Sequence, residues 1–177
     1  LVHLDGVDPD GVIRRVDLRS LQGDQVIWTL GMKLTQQYLR LAASRLPQEA
    51  GSGGFEFEGR RIRTVDGAIM IRYSEGERPS YAPGESGGKG ALGTVAFEDW
   101  MAMPASVDSS LFSGKIVLMG AVTGSGGDTF RTPLSVAAGE VPGIVIHGEV
   151  AGTLLRGDAP AVPAAWLVEL LIAATLM

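Results

Sequence analysis

The sequence predicts an α/β domain: a mixed, largely parallel sheet flanked by helices, incomplete on its N-terminal side, with a C-terminal hydrophobic helix. Three observations predict it. Ile116-Val117-Leu118-Met119 ahead of Gly120 is an apolar run without alternation, as in a strand covered on both faces. Two segments space their apolar residues by three and four, the period of a helix with one buried side. The chain then turns almost wholly apolar from Pro163 to Met177.

In chain order, Asp8-Pro9-Asp10-Gly11 is turn chemistry between two strands, since Pro sets φ and Gly accepts a positive one. Ile27, Leu30, Leu34, Tyr38 and Leu41 then predict an amphipathic helix over 24–44, with Asp24 as N-cap. Gly31 inside it marks a close packing point. After the break at 51–54, FEFEGRRIRTV alternates around Glu58-Gly59 and predicts a hairpin. Asp66-Gly67 turns the chain into a strand over 68–74, and residues 74–93 read as a long loop. Short helices are expected in 94–103 and 106–112. Ile144, His147, Val150, Ala151 and Leu154 share one face of a helix that Gly157 closes.

Composition narrows the function. A net charge of −5 and a pI near 5.0 argue against a nucleic-acid partner. The absence of cysteine removes disulfides, thiolate metal sites, thiol nucleophiles and iron–sulfur clusters. With two histidines, His3 and His147, no His-rich metal site is expected, and no cofactor is implied. About 20 apolar residues cross a bilayer, so the 163–177 stretch reads as the start of a truncated transmembrane helix after a domain at 1–160. Trp166 suits an interface; a C-terminal core helix is the alternative, which lacks a polar stripe here.

The glycines between Gly120 and Asp128 invite a phosphate-loop reading. A Walker A loop needs Lys and a hydroxyl residue after its glycines, and none follows here. GESGGKGA at 84–91 has Gly-Lys but continues with Gly-Ala. The dinucleotide fingerprint fails as well, with Thr129 at its third glycine. Ser125, His147 and Asp128 could be written as a triad, but no nucleophile elbow supports it. A strand ending at Gly120 would instead place Thr123, Gly124, Ser125, Asp128 and Thr132 at the carboxyl edge of a sheet, where ligands sit in open α/β folds. These five and His147 are the candidate ligand-binding residues. Against this, Asp128 could simply pin its own turn, and His147 could be a core histidine. Arg14-Arg15 and Arg60-Arg61 are expected to be solvated strand-edge charges.

Three segments together resemble the CHASE2 domain: DPDGVIRRVDL at 8–18, FSGKIVLMGAVTGSGGDTFRTPL at 112–134, and VPGIVIHGEVAGTLLRG at 141–157. The last two are the more specific. Gly148 departs from the family's usual Ala, and the glycine loop has few bulky residues. The resemblance covers the later part of the family's domain and implies an extracytoplasmic sensor of a bacterial membrane receptor. That receptor would be anchored by helices and linked to a cytoplasmic cyclase or kinase output domain. The sensor would have no enzymatic activity, take an unknown small-molecule or environmental ligand, and allow a homodimer. Loops 74–93 and 121–140 would be its moving parts. Two other classes stay open: a soluble α/β binding protein or enzyme using loop 120–132, and an interaction module that transmits dimerisation.

Overall fold

The structure, a computed structural model, describes residues 8–41, 48–50, 54–57, 59–65, 67–74, 95, 97–102, 112–120, 128–135, 139–161 and 172–175. Strand β1 (Arg15–Asp17) pairs with β7 (Ala68–Met70), Val16 opposite Ile69. Strands β2 (Arg19–Gln22) and β3 (Gln25–Trp28) form a hairpin. Strands β4 (Gln48–Ala50), β5 (Gly54–Phe57) and β6 (Arg60–Arg63) form a meander. Two-residue strands β8 (Thr129–Phe130) and β9 (Val141–Pro142) pair beside helix α3 (Gly143–Arg156). Helix α1 is Leu30–Tyr38 and α2 is Phe97–Ala102.

This overturns the predicted largely parallel sheet. Every pairing between these strands is antiparallel, and among the described residues the parallel contact is a single bridge, Val12 to Arg131. Residues 116–120, expected as a strand buried on both faces, form no strand; Val117 is 54% exposed and Met119 68%. An unbroken apolar run shows that a segment can be covered, but pairing also needs a neighbour in register, and none of the described strands supplies one. Of the expected C-terminal hydrophobic helix, residues 163–171 and 176–177 lie outside the described residues and 172–175 are helical; among the described residues no helix is long and apolar enough to cross a membrane.

The helix expected over 24–44 is shorter and starts later. Residues 25–28 pair across the Gly23-Asp24 turn, where Val26, Ile27 and Trp28 suit a pleated surface. The N-cap is therefore Thr29, whose hydroxyl accepts from the Met32 amide at 3.4 Å, and Asp24 lies in the turn. The buried side of α1 is Gly31, Met32, Thr35 and Gln36, while Tyr38 is exposed. Two smaller expectations hold. Gly59, at positive φ, closes the β5–β6 hairpin, and Gly157 closes α3 in the left-handed region with its N–H on the Thr153 carbonyl.

Arg14 and Arg15 are also not simply solvated. The Asp8–Gly11 turn folds its acids back so that Arg14 meets Asp8 at 2.9 Å and Asp10 at 2.7 Å, and Arg15 meets Asp8 at 3.1 Å. The hydrogen bonds from Arg14 hold the Asp10 carboxyl down at about 2.

The core gathers Ile13, Val16 and Leu18 from the first strand region, Ile69 from β7 and Ile71 just beyond it, and Phe55, Phe57 and Ile62 from the meander. Helices close it with Met32 from α1 and Ile146, Val150 and Leu154 from α3. The expected short helix near 97 is α2, where Trp100 packs edge-on against Phe97 and Phe112; residues 106–111 fall outside the described set.

The predicted close approach at Gly31 is present: a Cβ there would sit 2.5 Å from Val150 Cγ1 and 2.8 Å from Val150 Cβ. Gly31→Ala should therefore lower stability by about 1–2 kcal/mol, overpacking outweighing the better helix propensity of Ala. In a Val150→Ala background the cost should fall, because the 2.5 Å approach to Cγ1 is gone, but not vanish, because the Cβ at position 150 stays 2.8 Å away. Urea unfolding of the four proteins measures this coupling, and an equal cost in both backgrounds would exclude the contact as the cause.

Candidate functional site

Helix α3 organises the candidate functional residues at both ends and along its length. At its start, Gly143 donates its N–H to the Asp128 carbonyl at 2.9 Å. A Cβ on Gly143 would lie 2.7 Å from Asp128 Oδ1, so the carboxylate lies over the first turn, where four N–H groups lack helical partners. One turn on is His147, whose buried Nδ1 has no hydrogen-bond partner. Burial pushes the imidazole below its ordinary 6.5, and the Asp128 charge pulls it partly back.

Asp128 and His147 are thus brought to one end of α3. Thr132 is close in sequence but occupied within its own turn. Its N–H reaches Ser135 Oγ at 2.7 Å, and its hydroxyl accepts from the Leu134 amide at 3.3 Å. Thr132 is 3% exposed. Thr123, Gly124 and Ser125 lie outside the described residues. Any Ser125–His147–Asp128 triad would need an Asp–His hydrogen bond to orient the imidazole, and His147 Nδ1 makes none. Among the described residues no group of acids and histidines could hold a metal ion.

The polar residues with the most consequence are ones that periodicity did not single out. Glu149 is 1% exposed, and its two oxygens accept from Ser74: the amide at 3.2 Å and the hydroxyl at 3.0 Å. Thr153, one turn later, accepts the Arg72 amide at 3.0 Å and donates to the Glu149 carbonyl at 2.8 Å. Arg156 then reaches the Arg72 carbonyl at 3.3 Å and, with Arg72 itself, Asp158. The opposite edge of the same segment donates Ile71 N–H to the Arg14 carbonyl. Helix side chains therefore satisfy the outer edge of an extended segment where a neighbouring strand would otherwise stand. The signal in the sequence was Glu149 three residues after Ile146 and Thr153 three after Val150, which puts both on the apolar side of the helix.

At the far end of α3 a cleft of about 540 Å³ opens between the β5–β6 hairpin and the ends of α1 and α3. Arg61, Arg63, Leu39, Leu154, Leu155 and Gly157 are among the residues that line it.

The CHASE2 domain family model matches residues 1–177. The chain belongs to the CHASE2 family. CHASE2 domains are extracytoplasmic sensor domains, so the domain's role is sensory. Neither a curated protein nor a solved structure matches the chain.

Two outcomes follow for α3. Glu149→Ala leaves two Ser74 donors without acceptors and should cost about 2–4 kcal/mol, with Glu149→Gln near half of that. Urea unfolding measures it, and a loss below about 1 kcal/mol would show that Ser74 finds other partners. His147 has a folded pKa below its unfolded value, so the unfolded chain binds the proton more readily. The associated stability is present above 6.5 and is lost as pH falls through the folded value. His147→Gln should flatten the decline in stability between about pH 7 and about pH 5, and identical slopes for the two proteins would refute this.

Proposed function

We propose that this CHASE2 domain is the signal-receiving part of a bacterial membrane receptor, periplasmic or extracellular, and that α3 is the element that carries the signal. Family membership supports the sensory role. The observation that supports α3 as carrier is its bonding. Glu149 and Thr153 hold residues 72–74, the root of the loop at 74–93, and the chain runs from Gly157 through 158–161 towards the apolar stretch at 163–177. A change at the loop root or at either end of α3 has a covalent path to the membrane. Beyond it would stand an output domain of the nucleotide cyclase or kinase type.

The physical requirement is differential affinity: a ligand that prefers one arrangement of α3 shifts its population, and one that binds both equally shifts nothing. Asp128 and His147 at the start of the helix are one candidate receiving point, with Thr132 in its own turn nearby in sequence; Thr123, Gly124 and Ser125, also expected to bind, lie outside the described residues. A homodimer, in which two α3 helices report together, is compatible with this reading.

In the full-length receptor, Glu149→Gln should change basal output by about fivefold or more, the effect of a coupling of about 1 kcal/mol. Glu56→Gln, on an exposed strand position, should leave output unchanged. Output is read as product formed by the cytoplasmic domain in membranes, alongside receptor abundance. Unchanged output from folded, abundant Glu149→Gln receptor would overturn the role of α3.

A further inference from the structure

We propose that His147 and Asp128 form a proton-operated switch at the start of α3, through which the domain receives acidification of its surroundings as a signal. Two features of the geometry carry it. The first is a buried ring nitrogen: Nδ1 of His147 has no hydrogen-bond partner. A bare lone pair there costs little, but a protonated Nδ1 enclosed without an acceptor costs far more. Taking up the proton therefore requires a neighbour to move. The second is a carboxylate within reach. The Asp128 carbonyl accepts the Gly143 N–H, and its carboxylate occupies the space that a Cβ at position 143 would fill. Position 143 lies one helical turn before His147, about 6 Å along the axis.

The carboxylate has two places to go. With the imidazole neutral, it lies over the unpaired amides of the first turn, which present about half a unit of positive charge. Once the ring is protonated, a full unit of charge stands one turn away and competes for it. Asp128 is exposed, so its side chain can turn without opening the core. The other charged groups leave the choice to this pair. Helix α1, whose Gly31 meets Val150 and the His147 carbonyl, brings Lys33, Tyr38 and Arg40, all exposed. The β8–β9 pair and the turn before β9 bring Arg131 and Glu140, also exposed, and Glu140 accepts from Thr129. On the segment at 72–74, Arg72 is held by Asp158. On α3 itself, Glu149 stands about 200° round the helix, against Ser74. Among these groups it is Asp128 whose charge reaches His147.

The consequence for signalling rests on the sensory reading above: a carboxylate that leaves Gly143 loosens the start of α3, the helix proposed to carry the signal. The switch itself is measured on the 177-residue chain, apart from receptor output, so the two can fail separately. With two histidines in the chain, His147→Gln assigns the ring signals in an NMR pH titration. His147 should titrate below the ordinary histidine value, and the Gly143 amide and Asp128 side chain should shift at the same midpoint. Asp128→Asn should lower that midpoint, since the attracting charge is gone, and leave the Gly143 amide insensitive to it. Thermal unfolding at about pH 8, where histidine is neutral, verifies that the variants fold. Asp128 is exposed, so if the His147 variant does not fold, the ring signal that Asp128→Asn moves supplies the assignment. A Gly143 amide that ignores the titration of His147, or a midpoint unchanged by Asp128→Asn, would overturn the switch. In the full-length receptor, output should change severalfold between an external pH of about 7 and about 5, and His147→Gln should abolish that change. A coupled titration in a receptor whose output ignores pH would leave the switch standing and refute acidification as the signal.

Discussion

Burying Glu149 inside helix α3 imposes a condition on its surroundings, because a carboxylate removed from water must find donors or the helix cannot sit where it does. Both donors come from Ser74, at the end of the extended segment that continues β7. Once Ser74 is held, Arg72 falls opposite Thr153, and Ile71 faces the other way to bond Arg14. One buried acid thus fixes the register between a helix and a strand edge, which apolar packing alone would leave free to slide. The other side of α3 is constrained by shape, through the approach of Gly31 to Val150. Between them these contacts leave α3 one position in the core.

Under the proposed signalling role, a helix held at its middle by specific polar bonds would move as a unit and pass a push at either end along its length. Asp128 and the unpartnered His147 nitrogen lie at the start of α3; its end borders the cleft that Arg61 and Arg63 help to line. In the proposed signalling role, loss or gain of the Glu149–Ser74 bonds would be the discrete step that a population shift requires.

Parts of this were legible in the residues, and the parts that were not share a cause. Helix α3, the Gly157 cap and the turns at Gly59 and Gly67 all depend on residues within a few positions of one another, and the tight spot at Gly31 was marked by a glycine inside a helical period. Helix α1 starts later than the spacing predicts because Ile27, which fits its helical period, also fits a hairpin strand, and only the Gly23-Asp24 turn with its pairing to β2 decides between them. The segment at 116–120 was taken for a sheet centre on apolar content alone. Glu149 could have been noticed as an acid on the apolar side of its helix, but nothing nearby in sequence pointed to Ser74, seventy-five residues earlier.

The sequence by itself determined the family, the identity and end of helix α3, and the turns, because motif, period and glycine conformation are local properties that the surroundings modify little. Only the tertiary structure decided which strands pair, that they pair antiparallel, what Glu149 binds, and that Arg61 and Arg63 share a cleft with the ends of two helices. Those are contacts between distant residues, selected by the joint fit of register, buried polar satisfaction and side-chain volume. No single segment carries that information.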